Sequence, residues 1–72
     1  MDTIDDAMLG ARMRELRKEA GLSCADVAQK TGFKRKQILK YEKGINRVSA
    51  IQLFAIARAV GAPVASYFED LG

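Results

Sequence analysis

The chain has no histidine, one cysteine and one proline in 72 residues. Without histidine the usual metal-ligand clusters cannot form, and the lone Cys24 has no partner for an intramolecular disulfide. A reduced, cytoplasmic protein is the natural expectation, with no metal and no cofactor. No apolar stretch approaches the ~20 residues of a membrane span. The opening MDTIDDAMLG is acidic and lacks the basic start of a secretory signal. There is no nucleophile elbow and no glycine-rich phosphate loop, so an enzyme is a poor reading. Low-complexity runs, linker-like stretches and internal repeats are absent as well, which predicts one domain over residues 1–72 with its core at about 9–68.

Acidic residues are scarce in one place. Between Lys30 and Arg47 seven lysines and arginines face a single acid, Glu42, for a local charge of +6, whereas the remainder carries five basic and eight acidic residues, a net −3. An ordinary solvated helix mixes both signs, because like charges one turn apart repel. One positive segment on a slightly acidic body is the footprint of a nucleic-acid face.

The periodicity is helical throughout. Leu9, Met13, Leu16 and Ala20 form the stripe of a first helix that Gly21 ends. Ser23 and Asp26 resemble a capping box, predicting a second helix from Ser23 to about Lys30, closed by Gly32. A third helix is expected from about Lys34 to Lys43, with Ile38 and Tyr41 inward and Phe33 stapling its entry. Ser49 and Gln52 form a second box for a fourth helix to Val60, and Pro63 suits the first turn of a fifth, Val64 to about Phe68. No segment alternates with a strand period, so the fold class is all-α.

At ~100° per residue, Arg35, Lys36, Leu39, Lys40 and Lys43 share the side of the third helix opposite Ile38. A cationic helix after a short helix and a tight turn has the dimensions to enter the DNA major groove, about 12 Å wide. Ala28 and Gly32 supply the small side chains and backbone freedom such a turn needs.

These residues resemble the helix-turn-helix regulators of the lambda repressor and Cro type, the XRE family. The resemblance runs from about Leu9 to Phe68. It rests on "MRELRKEAGLS", "ADVAQKTGF", "ILKYEKG" and "IARAVGAPVASYF" in order, and "YEKGINRVSA" is similar to one group of small bacterial regulators. It implies a five-helix lambda-repressor-like domain with the helix-turn-helix at the second and third helices, binding two-fold symmetric double-stranded DNA as a homodimer. Carried over, the base-reading positions are Arg35, Lys36 and Lys40, with Gln37 and Leu39 as additional contacts. Phosphate positions are Lys43, Asn46 and Arg47, together with the backbone at Ser23 and Cys24; Lys34 is not carried over but is expected to meet a phosphate through its own charge. Arginine or lysine among the readers favours guanine, and Leu39 suits a thymine methyl.

Two positions depart from the family pattern. Cys24 stands where a phosphate-binding glutamine is usual, and Lys34 where a small capping residue is usual. The resemblance pairs Glu42 with Arg17 as a structural link between the third helix and the first, rather than as an acid catalyst. Cys24 reads as a packing residue at the turn in preference to a redox switch. Phe33, Tyr41, Phe54 and Phe68 read as core in preference to a base-stacking platform. Ile51 and Ala55 occupy fourth-helix positions that commonly carry polar side chains, which suggests a covered surface. The expected dimer contact is therefore Val64, Tyr67, Phe68 and Leu71, with Ile51 and Ala55 beside them. No small-molecule ligand is indicated. The function expected is a sequence-specific DNA-binding repressor. The alternative is a protein-interaction module, an adaptor or antitoxin, whose basic face meets an acidic partner.

Overall fold

Two serines set where two of the helices begin. The Ser23 hydroxyl accepts from the Asp26 amide while the Asp26 carboxylate accepts from the Ser23 amide, and Ser49 and Gln52 make the same reciprocal pair. The computed structural model describes residues 5–69. It comprises α1 (Asp6–Glu19), α2 (Cys24–Thr31), α3 (Arg35–Glu42) and α4 (Ala50–Val60), followed by a single 3₁₀ turn at Val64–Tyr67. The first helix starts before its apolar stripe, because the Asp5 side chain accepts from the Met8 amide and caps it.

Four α-helices, not five, are thus present among the described residues. The segment after Pro63 closes only through i→i+3 bonds, Ser66 N–H to Pro63 C=O and Phe68 N–H to Ala65 C=O. A run of four residues cannot repay the cost of nucleating an α-helix, so it settles into the tighter turn.

The core draws Met13 and Leu16 from α1, Val27 and Ala28 from α2, Ile38 and Tyr41 from α3, and Leu53, Ile56 and Ala57 from α4. Tyr67 of the 3₁₀ turn is enclosed among them at 0 % exposure. Phe33 packs against this core, but Phe54 and Phe68 do not belong to it, at 54 % and 41 % exposed. Phe54 lies on the outer side of α4 and Phe68 just past the 3₁₀ turn, both towards solvent, which corrects the expectation of a four-member aromatic core.

Two glycines let α1 press against the end of α3. A Cβ on Gly10 would lie 2.4 Å from the Tyr41 carbonyl oxygen and 2.6 Å from that of Glu42. Gly44 has φ +74°, and a Cβ there would also meet the Ala7 backbone at 2.7 Å. The orientation of α3 is therefore set by backbone against backbone at its C-terminal end.

Candidate nucleic-acid interface

Between α2 and α3 the chain turns in three residues. Gly32 takes φ +80°, a conformation that costs other L-residues dearly, and its amide donates to the Ala28 carbonyl to finish α2. Thr31 braces the same corner: its hydroxyl donates to the Val27 carbonyl at 2.8 Å and accepts from the Phe33 amide at 3.2 Å. Lys34 then caps α3 through extended backbone, without a side-chain hydrogen bond.

Arg35, Lys36 and Lys40 project from α3 into solvent, with Lys43 exposed at its C-cap. Among the described residues none of these four forms an ion pair. Gln37 and Leu39 are half-buried at the margins of this face. Gln37 Nε2 donates to the Tyr41 hydroxyl at 2.6 Å. Leu39 lies with Arg14, Glu15, Lys18, Glu42 and Lys43 in a cavity of about 690 Å³ between α1 and α3.

The single acid of the segment points the other way. Arg17 Nε donates to Glu42 Oε2 at 2.7 Å and Arg17 Nη2 to Glu42 Oε1 at 2.9 Å, while Nη1 donates to the Leu22 carbonyl at 2.9 Å. Both residues are 9 % exposed. The hydrogen bond to Glu42 raises the Arg17 pKa above its ordinary value, against the opposing pull of burial. Glu42 is thereby removed from the outer face of α3, whose positive charge stands uncompensated.

Cys24 Sγ sits 3.8 Å from Glu42 Oε1 in the buried interior. Burial and then the neighbouring carboxylate push its thiol pKa up, leaving it a packing group with little thiolate character. At the start of α2 the Ser23 amide is engaged by Asp26, so the amides of Cys24 and Ala25 are the ones without an intrahelical acceptor. Of the loop residues, Asn46 is exposed, and Arg47 Nε donates to Asp6 Oδ1 at 3.1 Å. That link between the loop and the first turn of α1, like the role of Gly10, has no signal in the sequence short of the tertiary fold.

The residues expected at a dimer contact divide. Ile51 is 83 % exposed and lines, with Phe54, Ala55, Arg58, Lys30 and Thr31, a cavity of about 540 Å³ on the outer side of α4. Val64 is half-buried and Phe68 exposed near the 3₁₀ turn. Tyr67 has no surface to offer a second subunit, because its ring fills the core; this corrects its placement at an interface. Leu71 lies outside the described residues.

The sequence model of the helix-turn-helix domain family matches residues 8–66, from the first turn of α1 into the 3₁₀ turn. The chain belongs to the helix-turn-helix domain family. This is a family of DNA-binding, non-enzymatic domains, in keeping with the reading against an enzyme. The chain is 43 % identical over 59 residues to an uncharacterized helix-turn-helix-type transcriptional regulator of Methanothermobacter thermautotrophicus, a match covering 82 % of this chain and 81 % of that one. It is 41 % identical over 66 residues to an uncharacterized transcriptional regulator in the ATPase CF(0) region of Rhodospirillum rubrum, covering 92 % of this chain and 61 % of that one. Its fold is similar to the restriction-modification controller protein C.AhdI of Aeromonas hydrophila, with a TM-score of 0.82, 31 % identity and coverage of 86 % of this chain and 94 % of that one. The chain spans about half to six-tenths of the length of several curated relatives. Among the described residues no helix is long and apolar enough to cross a membrane.

Proposed function

We propose that residues 1–72 form one domain of a cytoplasmic transcriptional regulator that binds double-stranded DNA sequence-specifically, as a homodimer on a two-fold symmetric operator, and represses by occupying promoter DNA. The observation that carries this reading is the bare cationic face of α3, the second helix of the helix-turn-helix, whose own single acid, Glu42, is locked inward by Arg17. Arg35, Lys36 and Lys40 read guanine edges in the major groove, with Gln37 and Leu39 as flanking contacts. Lys34, Lys43, Asn46 and Arg47 grip phosphates, joined by the free amide of Cys24 at the start of α2. The Ser23 amide is occupied by Asp26 and serves the cap.

The names of the relatives, transcriptional regulators and a controller protein, support the same function. For the dimer contact the outer face of α4 is the stronger candidate, because Ile51 and Phe54 leave an apolar surface in the open beside Ala55. That same surface is what favours the second reading, an adaptor or antitoxin module that docks on another protein. Selection of bound duplexes from a random pool separates the two. A two-fold symmetric consensus is the expected result, and recovery of no sequence preference would contradict the DNA-reading function.

A further inference from the structure

Gln37 occupies the first turn of α3, the end of a recognition helix that meets base edges in helix-turn-helix docking. Its side chain is already held: Nε2 donates to the Tyr41 hydroxyl at 2.6 Å, one helical turn further on. The tyrosine is itself fixed, since the residue is 5 % exposed and belongs to the core while its hydroxyl reaches the half-buried margin where Gln37 lies. Resting on the DNA-reading function proposed above, we infer that Tyr41 is a positioning residue for base recognition, its hydroxyl holding the Gln37 amide ready to read an adenine.

The hydrogen-bond inventory supports adenine. A glutamine amide has two N–H donors and a carbonyl oxygen. The hydroxyl takes one N–H and leaves one donor and the whole oxygen, the pair that the N7 acceptor and N6 amino group of adenine require. A tyrosine hydroxyl both donates and accepts, so the tie survives either orientation of the amide and leaves a donor and an acceptor in each case. A glutamine free in solvent must give up its side-chain torsional freedom when it meets a base; one held by a core residue has given it up before DNA arrives. Tyr41 touches no base and acts only through Gln37.

The test uses the purified full chain, wild type and with Tyr41→Phe, Gln37→Ala and both together, binding the selected operator and its single-base variants. Gln37→Ala should abolish an adenine preference at one position per half-site. Tyr41→Phe, which keeps the ring, should weaken the preference at that same position by about 2- to 10-fold, the worth of one hydrogen bond, and leave the other positions unchanged. The double variant should match Gln37→Ala. Full base preference in Tyr41→Phe, an equal loss at every position, or a Gln37-dependent base other than adenine would each overturn the inference. If the wild type selects no sequence, the DNA-reading function itself fails. A measurement independent of any variant is ¹⁵N relaxation of the side-chain amides in the free protein: Gln37 should be ordered relative to exposed Gln29, and equal mobility would overturn the tie.

Discussion

Tyr67 carries a buried hydroxyl with no hydrogen-bond partner among the described residues. Such a group costs free energy that its ring's burial must offset. Tyr67→Phe should therefore be neutral or stabilising at pH 7, by up to about 1–2 kcal/mol in denaturant unfolding. Burial also pushes the phenol pKa up to about 12 from its ordinary 10. Above pH 10 the unfolded chain releases this proton while the folded one keeps it, so the unfolded state binds fewer protons and stability falls as pH rises from 10 to 12. The limiting contribution of this one group is about 1.4 kcal/mol per pH unit, and it should disappear from the Tyr67→Phe profile. The Arg17 and Glu42 pair is the other residue-scale test. Truncating either partner strands a buried charge and should cost about 3–5 kcal/mol, whereas replacing both with apolar residues of similar volume should cost much less. A double-mutant cycle checks this, and coupling below about 0.5 kcal/mol would contradict it.

At the scale of the element, α3 begins weakly. Lys34 occupies the cap position in extended backbone but offers no acceptor, and its charge opposes the helix dipole. Lys34→Ser should stabilise the protein by about 1 kcal/mol, read as a rise in Tm, while lowering DNA affinity through a lost phosphate contact. Affinity and stability moving together would contradict that division. Element boundaries were largely legible because their causes are local: Ser23 with Asp26 and Ser49 with Gln52 start helices with their own neighbours, and glycine ends α2 in a conformation it alone takes readily. The segment after Pro63 misled because a favourable helix start does not supply length. Nothing local marks Gly10, whose missing side chain matters only because α3 ends against it. The cationic face of α3 was visible as charge and period, but not that Gln37 is tied to Tyr41 or Arg47 to Asp6. The aromatic residues Phe54 and Phe68 show the limit of composition, since only the path of α4 and the final turn decides which side faces water.

For the whole molecule, an exposed isoleucine and phenylalanine on α4 predict association. Wild-type protein should sediment as a dimer at roughly tens of micromolar, and Ile51→Glu as a folded monomer, because a buried carboxylate without a partner is costly. A monomeric wild type would contradict the dimer, and a variant that stays dimeric would move the interface elsewhere. If such a dimer binds DNA as proposed, the operator should show half-sites about one helical turn apart, so that two copies of α3 can enter successive major grooves on one side of the duplex.

The proposed division of labour along one basic segment is tested most directly by a salt series with two variants. Arg35→Ala and Arg47→Ala are compared with wild type on the selected operator and on its single-base variants. Arg35→Ala should cost about 1–3 kcal/mol on the preferred operator and relax base preference at one position per half-site. Arg47→Ala should weaken every sequence about equally and lower the salt slope by about one for each bound subunit, reduced only as far as its pairing with Asp6 already neutralises it. Full base preference in Arg35→Ala together with its loss in Arg47→Ala would contradict the assignment of reading to α3 and gripping to the loop behind it.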